Sequence, residues 1–104
     1  MKQFDIYIVN LDSTIGAEMK KSRPCIIISP DELNNNIKTV LIAPITSTLR
    51  EYPTRVELKL NNGVCYVVLD QIRVIDKKRL IKYIDHATNK TQGHIKTVLH
   101  EIFA

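Results

Sequence analysis

Arg55-Val56-Glu57-Leu58-Lys59-Leu60-Asn61-Asn62-Gly63-Val64-Cys65-Tyr66-Val67-Val68-Leu69 is the stretch that decides the fold. From Arg55 to Leu60, charged and apolar residues alternate with a period of two. An extended strand therefore turns its apolar side chains to one face and its charges to the other. Asn61-Asn62-Gly63 supplies residues that tolerate a left-handed backbone, the requirement of a tight hairpin turn. Residues 64–69 return as a second strand rich in β-branched and aromatic side chains.

Reading upstream, Thr39-Val40-Leu41-Ile42-Ala43-Pro44-Ile45-Thr46 forms another strand, joined to the hairpin by a polar stretch over residues 47–53. Residues 23–29, Arg-Pro-Cys-Ile-Ile-Ile-Ser, are almost continuously apolar, the mark of a strand buried on both faces. Pro24 has no N–H and belongs at the start of that strand. One helical turn is expected after it, with Ser29 as N-cap and Pro30 in the first position, ended by Asn34-Asn35-Asn36. Residues 4–11 alternate as a first strand, and a polar, Gly-bearing loop follows over residues 12–22; loops of this length in small domains usually serve a purpose.

Downstream, Asp70-Gln71-Ile72-Arg73 ends the hairpin's second strand, and residues 76–79 form a turn. Residues 80–84 alternate weakly and fit either a strand or a helix. The last segment is helical: Ile95, Val98, Leu99 and Ile102 fall at i, i+3, i+4 and i+7, one apolar stripe. Asn89 with Gln92 three residues later has the spacing of a capping box. Successive strands and a closing helix give a mainly β, α+β protein, a small curved antiparallel sheet or barrel. At 104 residues the chain is expected to be one domain, 1–104, without repeats or linkers.

Fifteen Lys and Arg against eleven Asp and Glu give a net charge of +4, which favours encounter with polyanions without proving it. Aromatics are few and tryptophan is absent, so the multi-base stacking platform of an RRM-type sheet is not evident. No apolar run approaches the roughly 20 residues of a spanning helix. The acid at Asp5 and the lack of an apolar leader argue against a secretory signal, so the expected compartment is the cytoplasm and no membrane partner is expected. Cys25 and Cys65 lie in apolar strands without metal-ligand spacing and read as reduced core thiols. His86, His94 and His100 share no ligand pattern and read as surface or packing residues, so no metal or other cofactor is expected.

Three polar clusters fall at strand boundaries, where rigid backbone presents side chains that stay open to solvent. They are Gly16-Ala17-Glu18 with Arg23-Pro24, Pro44-Ile45-Thr46-Ser47, and Asp70-Gln71-Ile72-Arg73. Any one of them alone is weak. In this order and at this spacing, G-x-E-x-x-x-x-R-P, P-I-T-S and D-Q-I-R-x-I-D together resemble the MazF/PemK toxin family over nearly the whole chain. The resemblance implies a conical, SH3-like barrel of the CcdB/MazF type with a C-terminal helix. It also implies a homodimer and a metal-independent, sequence-specific endoribonuclease that cuts single-stranded RNA and is restrained by a cognate acidic antitoxin.

Carried over residue by residue, the resemblance makes Arg23 and Thr46 the first catalytic candidates. A guanidinium binds two phosphate oxygens at once and stays charged at any relevant pH, and Thr46 offers a hydroxyl to the scissile phosphate. Ser47 is a supporting candidate; for both hydroxyls the residues alone equally allow a turn or cap. Glu18 either orients Arg23 or takes the proton of the ribose 2′-OH. Asp70 is either a base or a structural carboxylate, and Gln71 contacts a phosphate or a base. Lys20, Lys21, Arg50 and Arg55 flank the site and would track phosphates without reading sequence, and Arg73 reads as a surface or interface residue. Two departures matter: Ala17 and Val68 stand where some relatives carry a catalytic histidine and arginine, so the acid–base scheme built on Asp70 does not transfer whole. The reading of another class is a CcdB-like toxin of the same fold, which poisons gyrase without being an enzyme; the Arg-Pro and Thr-Ser pairs and the missing tryptophan argue against it.

Overall fold

The computed structural model describes residues 1–11, 22–48 and 52–104. Its strands are β1 Asp5–Asn10, β2 Ser22–Ile27, β3 Thr39–Thr46, β4 Arg55–Leu60, β5 Gly63–Val68, β6 Arg73–Asp76 and β7 Leu80–His86; its helices are α1 Asp31–Asn34 and α2 Asn89–Phe103. The sheet runs β4-β5-β3-β2-β1-β7, with β6 also paired to β3, and every pairing is antiparallel.

The hairpin forms as its sequence dictates. Asn61 and Asn62 take φ of 53° and 64°, a left-handed pair that matches the twist of the flanking strands. The turn sets Leu60 opposite Gly63 and, further along the ladder, Glu57 opposite Tyr66 and Arg55 opposite Val68. Val56, Leu58 and Leu60 all face the main core, as their alternation requires.

β2 is the element that divides the interior in two. Ile26 and Ile28 join the main core with Phe4, Ile6, Ile45, Val56, Val67 and the helix residues Ile95 and Val98. Cys25 and Ile27 point the other way into a second cluster with Val9, Val40, Ile42 and Ile75. Burial on both faces accounts for the unbroken apolar run. α2 lays Ile95, Val98 and Leu99 on the main core, whereas Ile102 and Phe103 stay exposed at the helix end.

Several local expectations shift. α1 starts one residue later than expected, so Pro30 occupies the N-cap position and no side chain caps it. Ser29 instead donates its hydroxyl to Asn34 Oδ1 at 2.5 Å and accepts from the Leu41 N–H, tying α1 to β3. The cap of α2 is Thr88, whose hydroxyl oxygen accepts from the Thr91 N–H, and not Asn89. Gln92 reaches back to the Ala87 carbonyl rather than to Asn89. Residues 80–84 lie within a strand, β7, because β1 offers an edge to pair with. β6 was not marked out by composition: four residues are too few for a pattern, and the strand exists because the first half of β3 has an open edge there. Among the described residues no helix is long and apolar enough to cross a membrane.

Neither cysteine is in a disulfide. Cys25 has no exposed surface, and burial pushes its thiol up to about 12 against the pull of the Arg23 and Arg73 charges. The thiolate is the reactive form, so alkylation of the native protein at pH 8 is expected to modify Cys65 and spare Cys25. Peptide mass mapping checks this, and rapid modification of Cys25 would mean that β2 opens.

Candidate active site

The β2–β3 ladder pairs Cys25 with Pro44, Ile26 with Ala43 and Ile27 with Ile42. Arg23 on β2 and Thr46 on β3 each lie two residues beyond the last pair of this ladder, Cys25 with Pro44, and share the face of those two residues. Thr46 pairs on its other side with Tyr66, and Tyr66 with Glu57. Thr46, Tyr66 and Glu57 thus make one row across β3, β5 and β4, with Arg23 on the neighbouring β2, all directed to the face opposite the main core. The next row on that face carries Cys25, Pro44, Val68 and Arg55. Ile42 and Arg73, paired across β3 and β6, follow one step beyond.

Two sequence candidates far apart in the chain therefore come to the same end of one sheet face, on adjacent strands. Arg23 is exposed and flanked by Val9 on β1, so its guanidinium is presented by paired strand on a rigid base. The Thr46 oxygen accepts from the Thr48 N–H at 3.2 Å, the turn-forming role open to such a residue. As acceptor in that bond, the hydroxyl keeps its own proton to donate. Ser47 is exposed beside it at the strand end.

Asp70 sits in a 3-10 turn, Leu69–Gln71, between β5 and β6. Its Oδ1 accepts from the Thr54 hydroxyl at 2.9 Å and lies 3.4 Å from Arg55 Nε. Arg55, a phosphate-tracking candidate by sequence, is thus largely engaged within the protein, with a guanidinium that also covers the Tyr52 ring at 5.5 Å. These contacts give Asp70 a bracing part. Gln71 is exposed next to it. Glu18, Lys20, Lys21 and Arg50 lie outside the described residues.

Sequence reasoning passed over two residues of this face, Glu57 and Tyr66, and read a third, Arg73, only as a surface or interface residue. The first two were within reach, because the Asn61-Asn62 turn alone fixes Glu57 opposite Tyr66. Arg73 was not, since only the pairing of β6 with β3 turns it to the same face as Arg23. Both guanidinium charges are felt at the Cys25 thiol between them, so the face is cationic beyond the Arg23 position.

His86 has a structural role. It bonds through Nδ1 to the buried Asp5 at 2.7 Å, where β1 and β7 pair, and Gln92 lies 3.2 Å from its Nε2. Among the described residues no three His, Cys, Asp or Glu side chains gather as a metal-ligand group. A cleft of about 560 Å³ opens between β4 and the start of α2, lined by Leu58, Lys59, His86, Lys90 and His94 among others. None of the sequence candidates lines it. For a polymer, an open sheet face is the more suitable binding surface, since an enclosed cleft suits a small molecule.

Known proteins agree with the fold. Residues 2–103 match the family of PemK-like, MazF-like toxins of type II toxin–antitoxin systems. The chain is 30% identical over 106 residues to endoribonuclease MazF of Staphylococcus saprophyticus, a match covering 95% of this chain and 88% of that protein. Against endoribonuclease EndoA of Bacillus subtilis it is 30% identical over 105 residues, covering 95% and 90%. Among solved structures, MazF of Deinococcus radiodurans superposes with a TM-score of 0.78 at 25% identity, covering 99% of this chain and 96% of the other. A mycobacterial endoribonuclease in complex with its cognate antitoxin shares the fold with a TM-score of 0.82 at 24% identity, covering 99% and 94%.

A curled antiparallel half-barrel with a C-terminal helix is the fold of MazF toxins. The chain belongs to the PemK-like, MazF-like family, and its enzyme class is endoribonuclease.

Proposed function

We propose that residues 1–104 act as a single domain that cuts single-stranded RNA, with sequence preference and without a metal, on the sheet face carrying Arg23 and Thr46. The observation that supports this reading is the pairing of β2 with β3, which brings those two residues to the same end of one sheet face. RNA supplies its own nucleophile. The 2′-OH gives its proton to a base, the 2′-oxygen attacks the adjacent phosphorus, and the P–O5′ bond breaks as the 5′-oxygen takes up a proton. The products are a 2′,3′-cyclic phosphate and a 5′-OH end; DNA has no 2′-OH and is not cut. Arg23 holds the phosphate oxygens as negative charge grows on them and serves as proton source for the 5′-oxygen. Thr46, with Ser47 beside it, donates a hydrogen bond to the same group. Orientation and charge stabilisation are then the main catalytic contributions.

The bracing of Asp70 by Thr54 and Arg55 favours Glu18 as the base of the two carboxylates. Gln71, Lys20 and Lys21 hold the flanking strand of RNA. A cognate antitoxin, as in the mycobacterial complex, restrains the enzyme in the cytoplasm; for this chain it is an acidic one, meeting with carboxylates the cations that otherwise meet phosphate. Val74, Ile81 and Tyr83 leave apolar surface exposed on β6 and β7, which suits a homodimer. The family match favours the ribonuclease reading over gyrase poisoning.

Purified protein incubated with a long single-stranded RNA in excess EDTA is expected to cut it at discrete positions. The fragments should carry cyclic phosphates, identified by mass. Cutting that stops in EDTA and returns with magnesium or manganese would overturn the metal-independent mechanism.

A further inference from the structure

Tyr52-Pro53-Thr54-Arg55 is a tight turn closed by the Arg55 N–H on the Tyr52 carbonyl at 3.1 Å, and Pro53 fixes one of its two central φ angles. The turn is bolted to the end of β5. The Thr54 carbonyl accepts from the Leu69 N–H at 3.1 Å, and the Thr54 hydroxyl donates to Asp70 Oδ1 at 2.9 Å. Arg55 Nε lies 3.4 Å from the same carboxylate oxygen, and the Arg55 side chain is only 12% exposed. From that fixed position its guanidinium carbon lies 5.5 Å from the centre of the Tyr52 ring. Tyr52 itself is 57% exposed.

Tyr52 thus belongs to a turn tied at three points, with a cation against one ring face and much of the residue left to solvent. Arg55 belongs to the same sheet face as Arg23 and Thr46, in the row next to that of Thr46. At about 4.8 Å per strand, β4 lies roughly 14 Å from β2.

We infer that Tyr52 is a stacking platform for one unpaired base of the RNA, outside the nucleotide whose phosphate reacts, and that Asp70 and Arg55 are its positioning residues. The inference rests on the RNA-cutting function proposed above and adds a recognition subsite to it. A nucleobase lies flat on the open part of the ring, while Arg55 adds cation–π attraction from the covered side. A stacking contact accepts any base with a π face, so Tyr52 contributes affinity and register. Discrimination between bases comes from other groups.

The ring lies away from the reacting phosphate, so its loss weakens binding and leaves chemistry alone. On an oligonucleotide bearing a mapped cleavage site, Tyr52→Ala should raise KM about tenfold or more and keep kcat within about twofold of the native value. Tyr52→Phe retains the ring and should restore KM to within a small factor. Because the chain has no tryptophan, Tyr52→Trp creates a single reporter. Its fluorescence should be quenched on titration with a 2′-O-methylated single-stranded RNA of the same sequence, which cannot be cut. An unchanged KM for Tyr52→Ala, or an unquenched signal from Tyr52→Trp while labelled RNA binds by anisotropy, would overturn the inference. Quenching in a protein that cuts no RNA would sink the proposed catalysis and leave the platform standing. Cutting that ignores Tyr52→Ala would do the reverse.

Discussion

Replacing Arg23 with lysine is expected to lower kcat/KM for RNA cleavage by about 10²–10³-fold, the range seen when one preorganised donor to a developing charge is lost, with folding unaffected. The charge is kept in this substitution, so the geometry alone is tested. Lysine presents a point charge on a flexible stem and cannot span two phosphate oxygens with a planar fork. Arg23 is exposed on β2, and its side chain belongs to neither core cluster, so thermal unfolding of the variant should follow the native protein. Fragment analysis under single-turnover conditions measures the loss, and circular dichroism controls for folding. A lysine variant that cuts at near-native rate would reduce Arg23 to a charge that only attracts RNA.

What could be read in the sequence follows from how local each feature is. The Asn61-Asn62 hairpin, the doubly buried β2 and the apolar stripe of α2 are encoded within single segments, where period and turn chemistry act directly. β6 and the choice between helix and strand for residues 80–84 depend on which edges β3 and β1 leave open, and no local pattern records that. The site divides in the same way. Arg23 and Thr46 stood out through their motifs, but that they share one end of a sheet face follows only from the pairing of β2 with β3. The ties of Asp70 to Thr54 and Arg55 cross from the 3-10 turn to the start of β4 and could not be read from either end. They change the meaning of both residues: Arg55 is a brace more than a free cation, and Asp70 holds a turn. The cap of α2 moved by one residue, from Asn89 to Thr88, because both carry side chains suited to capping and the approach from β7 decides between them.

The second large effect is on stability, and its expected outcome is the inverse of the first. Ile26 has no exposed surface, pairs with Ile6 on β1 and Ala43 on β3, and belongs to the main core. Removing three of its carbons leaves a cavity that strands paired on both sides cannot close. Ile26→Ala should therefore cost about 2–5 kcal/mol of folding free energy. The transition temperature should fall by roughly 10–25 °C for a domain near this size, and the urea midpoint should fall without a change in slope. Ile26 and Arg23 are three residues apart on one strand, so their side chains point to opposite faces. The cavity opens on the core side, and the face carrying Arg23, Thr46, Tyr66 and Glu57 keeps its strand pairing. Well below the new transition temperature, Ile26→Ala should consequently cut RNA at close to the native rate, while Arg23→Lys loses cutting and keeps stability. Parallel losses of activity and stability in both variants would mean that core packing and site geometry are coupled through β2, and that the faces of this strand do not separate folding from chemistry.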